Sequence, residues 1–288
     1  MPDRDAPSRS PHRSPSPRRG GGEWFSGTSG KRGDRVVHGA KRFVRDRAGE
    51  REGPAILYGC HTVKAALENP ARRFHRVLAT ENAARRLAEA GIVPPALEVV
   101  RSDAIAALAG TEAVHQGLYA EADPLPSPPI EDLEPQGVVL VFDQITDPHN
   151  VGAILRNAAA FAVAAVVTTA RHSPEATGVL AKAASGALEY VPIITVGNLA
   201  RALGALKERG FLVVGLDSAG ETDLATLAFA APLALVLGAE GKGLRQLTRT
   251  SCDRLARLDL PGRIKSLNVS NATALALYIA TTRLDAPR

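Results

Sequence analysis

The chain has 288 residues, of which 45% are hydrophobic, so it is long enough for one large or two smaller globular domains and most of it is expected to fold. Its two cysteines have neither the spacing of a metal site nor the number of a disulfide framework. No apolar run approaches the roughly 20 residues that span a membrane, and the charged start lacks the apolar stretch of a signal peptide. The sequence therefore predicts a cytoplasmic protein that binds neither metal nor membrane.

Residues 1–53 are rich in Pro, Ser, Arg and Gly and are predicted to be a disordered tail, because they have too few apolar side chains to offset the entropy of ordering. Residues 1–50 hold 12 Lys/Arg and 6 Asp/Glu, whereas the rest of the chain holds 23 and 24. The excess positive charge thus belongs to the tail. Such an arm is typical of proteins that contact nucleic acid, and a tail that only aids solubility is the alternative.

Alternating strand and helix patterns over residues 54–122 predict a small α/β/α domain. Its third helix is expected from residue 102, with Ser102 as the N-cap. Residues 123–136 contain five prolines and are predicted to be a stiff linker.

Residues 137–288 carry a second α/β pattern, with about six apolar strands of the kind found in parallel sheets. A helix is expected from about Val151, and a long C-terminal helix from Ser266 to Arg283. On pattern alone, a Rossmann-like sheet is the default prediction. The strands are expected at 137–143, 164–169, 191–196, 211–217, 232–238 and 255–260.

Three polar clusters follow predicted strands, at the edge where open α/β sheets bind ligands. In the first, Pro148 and Asn150 are expected to shape a turn, and Gly152 to let the next helix pack closely on its neighbour. Arg156 lies about a turn and a half beyond Asn150, and its fixed donors suit a phosphate or a developing oxyanion. A surface arginine behind an N-capping asparagine is the alternative.

The second cluster places Gly238, Glu240 and two further glycines after a buried strand. This arrangement lets backbone approach a ligand, although a flexible turn would show the same pattern. The third cluster has four small polar side chains within six residues, more than helix capping needs, so a ligand site and a cap are about equally supported. They are Ser266, Asn268, Ser270 and Asn271.

Together the three clusters resemble the SpoU/TrmH family of SPOUT methyltransferases. The family stretch Asp-Pro-x-Asn-x-Gly-Ala-x-x-Arg is matched from Asp147 to Arg156. Its stretch Leu-Gly-x-Glu-x-x-Gly-Leu is matched from Leu237 to Leu244, and its stretch Ser-Leu-Asn-Val-Ser-x-Ala begins at Ser266. The order and spacing of the three stretches also fit.

The resemblance extends to the first domain, through Tyr58, Gly59 and His61 and the stretch from His115 to Gly117. These residues are similar to the substrate-binding domain that precedes the catalytic one in a ribosomal RNA member of the family. That domain is in turn similar to kink-turn-binding ribosomal proteins. The two histidines are interpreted as structural.

The resemblance implies an α/β SPOUT domain with a deep trefoil knot, a homodimer whose subunits share each active site, and S-adenosyl-L-methionine as cofactor. The implied reaction is 2′-O-methylation of a ribose, that of a guanosine, in 23S ribosomal RNA. A transfer RNA methyltransferase and a non-catalytic ribosome-assembly factor are the alternatives. Arg156 would be the central catalytic residue. Ser266 and Asn268 would orient the phosphate and ribose, with Asn150 and Glu240 supporting them. The residues implied to hold the cofactor are Gly238, Leu258 and Leu267.

One departure from the family lies before the third cluster. The family usually has Ile-Pro-Met there, whereas this chain has Leu258-Asp259-Leu260 and a proline displaced to Pro261. Leu258 is still expected to hold the cofactor, mainly through its backbone. The displaced proline leaves the geometry of this loop open.

Overall fold

Two β-sheets organise the computed structural model, which describes residues 53–171, 178–229 and 231–284. Nearly all of the basic tail, residues 1–52, lies outside the described residues, so its disorder stays a prediction. No helix among the described residues is long and apolar enough to cross a membrane.

The smaller sheet has four strands in the order β1-β4-β2-β3, with β4 antiparallel to both of its neighbours. Apolar side chains from the strands and from α1 and α2 fill its core. The strands are β1 (Ala55–Tyr58), β2 (Phe74–Ala79), β3 (Leu97–Val99) and β4 (Leu118–Ala122), and the helices are α1 (Cys60–Glu68), α2 (Glu81–Glu89) and α3 (Ser102–Ala109).

The predicted N-cap of α3 is wrong by one residue. Arg101 occupies the cap position without a side-chain cap bond, and Ser102 is already helical. Asp103 Oδ1 instead accepts a hydrogen bond from the backbone N of Ala104 at 3.0 Å. An acid in the first turn, which the helix dipole favours, thus takes the place of the expected serine cap.

The larger sheet has seven described strands, and each neighbouring pair is parallel. All six predicted strands are present with ends within three residues of the prediction, whereas β9, with two residues, is too short to show a pattern. The strands are β5 (Val138–Asp143), β6 (Ala165–Thr169), β7 (Ile193–Val196), β8 (Leu212–Leu216), β9 (Thr222–Asp223), β10 (Leu233–Gly238) and β11 (Arg254–Arg257).

The strand order is β7-β6-β5-β10-β8-β11-β9, which is not the Rossmann order. In a Rossmann sheet the strands added after the crossover continue outward one by one, whereas here β10 lies between β5 and β8 although it follows β8 in the chain. The default prediction from pattern alone is therefore wrong. Periodicity identifies a buried strand but carries no information about its neighbours.

Helices cover both faces of the larger sheet. On one face α4, α5 and α8 pack on a core of strand side chains, and on the other α6 does so with α7 beside it. The helices are α4 (Pro148–Ala160), α5 (Gly178–Ala184), α6 (Leu199–Glu208), α7 (Gln246–Ser251) and α8 (Val269–Leu284).

The starts of two helices differ from the prediction. Helix α4 begins three residues early, at Pro148, because Asp147 Oδ1 caps it by accepting from His149 N at 3.1 Å and proline is tolerated in a first turn. Asn150 is therefore helical and not part of a turn. Helix α8 begins three residues late, at Val269, so the start of the third cluster is a loop.

A buried ion pair joins the segment before β2 in the smaller sheet to the segment before β7 in the larger one. Arg72 Nη2 lies 2.8 Å from Glu189 Oε1, and the two side chains are 3% and 1% exposed. Asn69 Nδ2 donates to Glu189 Oε2 at 2.8 Å, and Arg72 Nη1 donates to the carbonyl oxygen of Asp123 at 2.8 Å. Both charges are thus hydrogen-bonded where water is excluded, which makes the loss of either partner costly.

We expect Glu189→Ala to lower the free energy of unfolding by about 3–5 kcal/mol, because it leaves the buried Arg72 charge unpaired. Glu98→Ala is the control, since it breaks a pair with Arg76 whose side chains are 50% and 40% exposed, and it should have little effect. Urea unfolding measures both. Equal effects of the two substitutions would contradict the assignment.

Candidate active site

The three polar clusters meet at the side chain of Asn268. Its Nδ2 donates to Asn150 Oδ1 at 2.9 Å and to Glu240 Oε1 at 2.5 Å. Its Oδ1 accepts from the N and the Oγ of Ser270, at 2.9 and 2.5 Å. We call these four residues the Asn268 network. It joins one residue or more from each cluster, although Asn150 and Asn268 are 118 positions apart.

Glu240 also caps helix α8. Its Oε1 accepts from the backbone N of Val269 at 3.1 Å, and this N–H is among those at a helix start that have no partner within the helix. A carboxylate at this position also suits the positive end of the helix dipole. The loop after β10 therefore fixes where α8 begins, and with it the position of Asn268.

Asn157 makes a further link that sequence reasoning did not single out as a site residue. Its Nδ2 donates to the backbone oxygen of Ser270 at 3.0 Å, which ties α4 to α8. The residue lies inside the first cluster, one position after Arg156, so its presence in that motif was the available signal.

Arg156 and Ser266 are not brought into the Asn268 network. Both are exposed, and neither side chain has a hydrogen bond or ion pair to a described residue. Leu267, next to Ser266 in the chain, is 41% exposed. Ser266 and Leu267 directly precede Asn268 in the chain, and Arg156 lies on α4 with Asn150. These groups have donors or apolar surface available for a ligand.

The glycines of the second cluster have a structural cause. A Cβ on Gly238 would overlap the backbone of Gly243, and Gly243 N donates to Ala239 O at 2.8 Å, so the loop folds back on itself. Gly241 and Gly243 have φ of +73° and +65°, values that favour glycine. The loop needs its glycines to turn, and the turn presents Glu240 to α8.

Close helix packing explains Gly152, as predicted. A Cβ there would lie 2.8 Å from Ala184 N, so α4 and α5 could not approach as they do. The small residue therefore sets the position of α4, which carries Asn150 and Arg156.

An ion pair that sequence reasoning missed closes the loop after β10. Asp143, which is 1% exposed, accepts from the backbone N and from Nε of Arg245, at 2.8 and 2.6 Å. Asp143 also lies opposite Gly238 in the register of β5 and β10. A carboxylate that ends an otherwise apolar strand was the signal for it.

The loop with the displaced proline is held by Arg257. Its Nε and Nη2 donate to the two oxygens of Asp259 at 2.7 and 3.1 Å, which lowers the pKa of that carboxyl below its ordinary value. Its Nη1 donates to Gly220 O at 2.9 Å, in the loop after β8. Leu258 between them is half-buried and packs against the core. The departure from the family thus leaves a loop anchored to its neighbour.

Apolar side chains remain exposed around this loop: Ile264 is 76% and Leu267 is 41% exposed. The carboxyl ends of β10, β8 and β11 lie side by side there. No group of three or more His, Cys, Asp or Glu side chains within residues 53–171, 178–229 and 231–284 is arranged to hold a metal ion.

Two family models match the chain. The SpoU rRNA Methylase family matches residues 137–278, and the family described as RNA 2′-O ribose methyltransferase substrate binding matches residues 56–128.

Curated relatives match over nearly their whole length. The 23S rRNA (guanosine-2′-O-)-methyltransferase RlmB of Pseudomonas putida is 36% identical over 242 residues, which cover 81% of this chain and 98% of the relative. RlmB of Ralstonia nicotianae is 38% identical over 235 residues, covering 78% and 94%.

Solved structures share the fold. The SpoU methyltransferase AviRb from Streptomyces viridochromogenes, in complex with AdoMet, superposes with a TM-score of 0.70 at 23% identity, covering 82% of this chain and 92% of that one. An AdoMet-bound rRNA methyltransferase from Sinorhizobium meliloti gives 0.68 at 23% identity, covering 80% and 88%.

We expect Glu240→Ala to loosen the start of α8, because it removes the acceptor for Val269 N and for Asn268 Nδ2. A hydrogen bond contributes about 1 kcal/mol or more, so the Val269 amide should exchange with solvent about fivefold faster or more. Glu240→Gln keeps an oxygen acceptor and serves as the control, with a smaller change. Hydrogen exchange measured residue by residue distinguishes them, and unchanged exchange in the alanine variant would refute the capping role.

Proposed function

The chain belongs to the SpoU rRNA methylase family, and we propose that it transfers a methyl group from S-adenosyl-L-methionine to the ribose 2′-hydroxyl of a guanosine in 23S ribosomal RNA. The observation that carries the proposal is the convergence of all three clusters on Asn268 at the carboxyl edge of the sheet. The RlmB relatives match both domains and favour ribosomal over transfer RNA as substrate. The same proposal places the protein in the cytoplasm, because bacteria assemble their ribosomes there.

The cofactor would lie against the loops that follow β10, β8 and β11. Gly238 ends β10, and Leu258 is the first residue after β11, so both offer backbone groups to these loops. Leu267 offers exposed apolar surface. Apolar walls with a few placed polar groups suit an adenosine moiety. The bound cofactor supplies a methyl group activated by a positively charged sulfur, so the transfer itself needs no metal.

Arg156 would act on charge and position, not as a base, because its guanidinium stays protonated in proteins. It would bind a phosphate next to the target ribose and stabilise negative charge developing on the 2′-oxygen. This oxygen would take the methyl group from the cofactor, and the hydroxyl proton would pass to the phosphate that Arg156 holds or to water. This role requires an exposed guanidinium, and Arg156 is exposed and has no partner among the described residues.

Ser266 and Asn268 would orient the ribose and its phosphate. The Asn268 side chain is already fixed by four hydrogen bonds, so it holds the adjoining loop in place without having to be ordered by the substrate. Ser266, two residues earlier, has an exposed hydroxyl. Asn150 and Glu240 would keep Asn268 in position.

We also propose that this chain has the trefoil knot and the division into segments that the family implies. The proposed deep trefoil knot is compatible with the strand order, since β10 lies between β5 and β8 although it follows β8 in the chain. The basic tail, residues 1–53, would contact RNA, and residues 54–122 would bind the substrate RNA. The linker 123–136 would then lead to the methyltransferase domain, residues 137–288.

The exposed side of α8 supports the proposed homodimer. Leu275 and Tyr278 lie one turn apart and are 36% and 59% exposed, whereas Ala276, Leu277 and Ala280 are buried against the sheet. Exposed apolar groups on a helix that is already packed are typical of a subunit contact. A second copy of the chain would cover them and complete each active site.

Arg156→Ala should lower methyl transfer by about 100-fold or more, because it removes the stabilising charge, while cofactor affinity stays unchanged. Arg254→Ala is the matched control, because Arg254 is an exposed arginine at the amino end of β11, away from the carboxyl edge of the sheet. Transfer of labelled methyl groups to ribosomal RNA and calorimetry with S-adenosyl-L-methionine measure the two properties. Wild-type turnover in the alanine variant would overturn the catalytic assignment, and cofactor binding by the wild type without any transfer would favour the assembly-factor alternative.

Tyr278→Arg should convert the protein to a monomer, because it places a charge in the proposed contact. Val93→Arg, at an 89% exposed apolar residue of the first domain, is the control and should not. Light scattering should give twice the chain mass for the wild type and the control. A wild type that is a fully active monomer would contradict the proposal.

A further inference from the structure

A cavity of about 260 Å³ opens near the carboxyl edge of the larger sheet, and none of its lining residues belongs to the Asn268 network. The lining residues come from the end of β6, the start of α6 and the start of α7. A water molecule occupies about 30 Å³ in the liquid, so the cavity has room for a larger polar group.

Both charged side chains among the described residues that line this cavity are positive. They are Arg171 and Arg245, and no acidic side chain within residues 53–171, 178–229 and 231–284 lines it. Arg171 is exposed and has no ion pair or hydrogen bond to a described residue. Arg245 is held by Nε on Asp143, which leaves its two Nη groups without a described partner.

The start of α6 adds to this positive character. Leu199 and Ala200 line the cavity as the first two residues of a ten-residue helix, where N–H groups have no partner within the helix. Asn198 caps only the N of Arg201, at 3.0 Å. Aligned N–H groups and the helix dipole favour an anion at this end.

A buried hydroxyl on the cavity wall also lacks a partner. Thr169 lines the cavity at the end of β6 and is 7% exposed, and its Oγ1 has no hydrogen bond among the described residues. Buried polar groups in native proteins are nearly always paired, so an orphaned hydroxyl beside a cavity points to a group that fills it.

We propose that this cavity binds a phosphate of the substrate RNA. Arg245 connects it to the active site, because it is anchored on Asp143, and Asp143 lies opposite Gly238 in the sheet. An RNA strand running over this edge would place its target ribose at the Asn268 network and another phosphate in the cavity. Phosphate contacts of this kind fix the register of a nucleic acid without reading its sequence. The inference rests on the proposed function.

Two substitutions test it without removing the Arg245–Asp143 pair. Arg171→Ala deletes the charge that has no partner among the described residues. Ala200→Glu puts a carboxylate into the cavity at a helix position where an acid is favourable, so the fold should tolerate it. Arg254→Ala, an exposed arginine at the amino end of β11, is the control. The measurements are affinity for a 23S ribosomal RNA fragment against salt concentration, and calorimetry with S-adenosyl-L-methionine.

Both cavity variants should bind the RNA several-fold more weakly, and the slope of log Kd against log salt should become shallower by about 0.7, as for the loss of one phosphate contact. Cofactor affinity should not change. RNA affinity equal to that of the control would overturn the proposal. So would a loss of cofactor affinity, since the cavity would then hold the cofactor's carboxylate.

Titration with inorganic phosphate at constant ionic strength distinguishes a site for RNA from a site for a small free anion. Phosphate binding that is lost in Ala200→Glu while RNA affinity stays at the wild-type value would mark a small-anion site and refute the RNA proposal. Methyl transfer by the wild type is measured in the same preparation. Its absence, together with weakened RNA binding by both variants, would overturn the proposed function but uphold the cavity as an RNA contact.

Discussion

The amide of Asn268 holds together segments that the chain itself keeps far apart. Its nitrogen donates to Asn150 and to Glu240, and its oxygen accepts twice from Ser270. An amide is suited to this position because it offers donors on one side and an acceptor on the other. Aspartate would place a second carboxylate against Glu240, and leucine would satisfy none of these groups. The chemistry proposed for the site depends on this one side chain being fixed.

The order of the strands brings the partners of Asn268 together. Because β10 lies beside β5, the loop that carries Glu240 emerges next to the start of α4, which carries Asn150. Glu240 then caps α8 and sets the point where Asn268 precedes the helix. Had the strands followed the Rossmann order, β8 would separate these two loops. The unusual position of one strand is therefore what lets the clusters meet.

The sequence allowed the strands to be predicted but not their order, because an apolar run shows that a strand is buried and nothing about its neighbours. The family resemblance implied a site that includes Asn150, Glu240 and Asn268, and the structure brings these three side chains into contact. The resemblance could not show that the glycines after β10 serve the turn itself, nor that Asp143 would anchor Arg245, since both depend on contacts between distant segments. The predicted start of α4 was three residues late, because Asp147 caps the helix directly before Pro148. The predicted start of α8 was three residues early, because its cap comes from Glu240, which is distant in the chain.

The most direct test of the central claim is a map of ribose methylation in 23S ribosomal RNA from a strain that lacks this gene. We expect one 2′-O-methyl group to be absent, the wild-type gene to restore it, and Asn268→Ala, expressed at the same level and folded, to fail to do so. An unchanged map in the deletion strain, or full restoration by Asn268→Ala, would contradict the account.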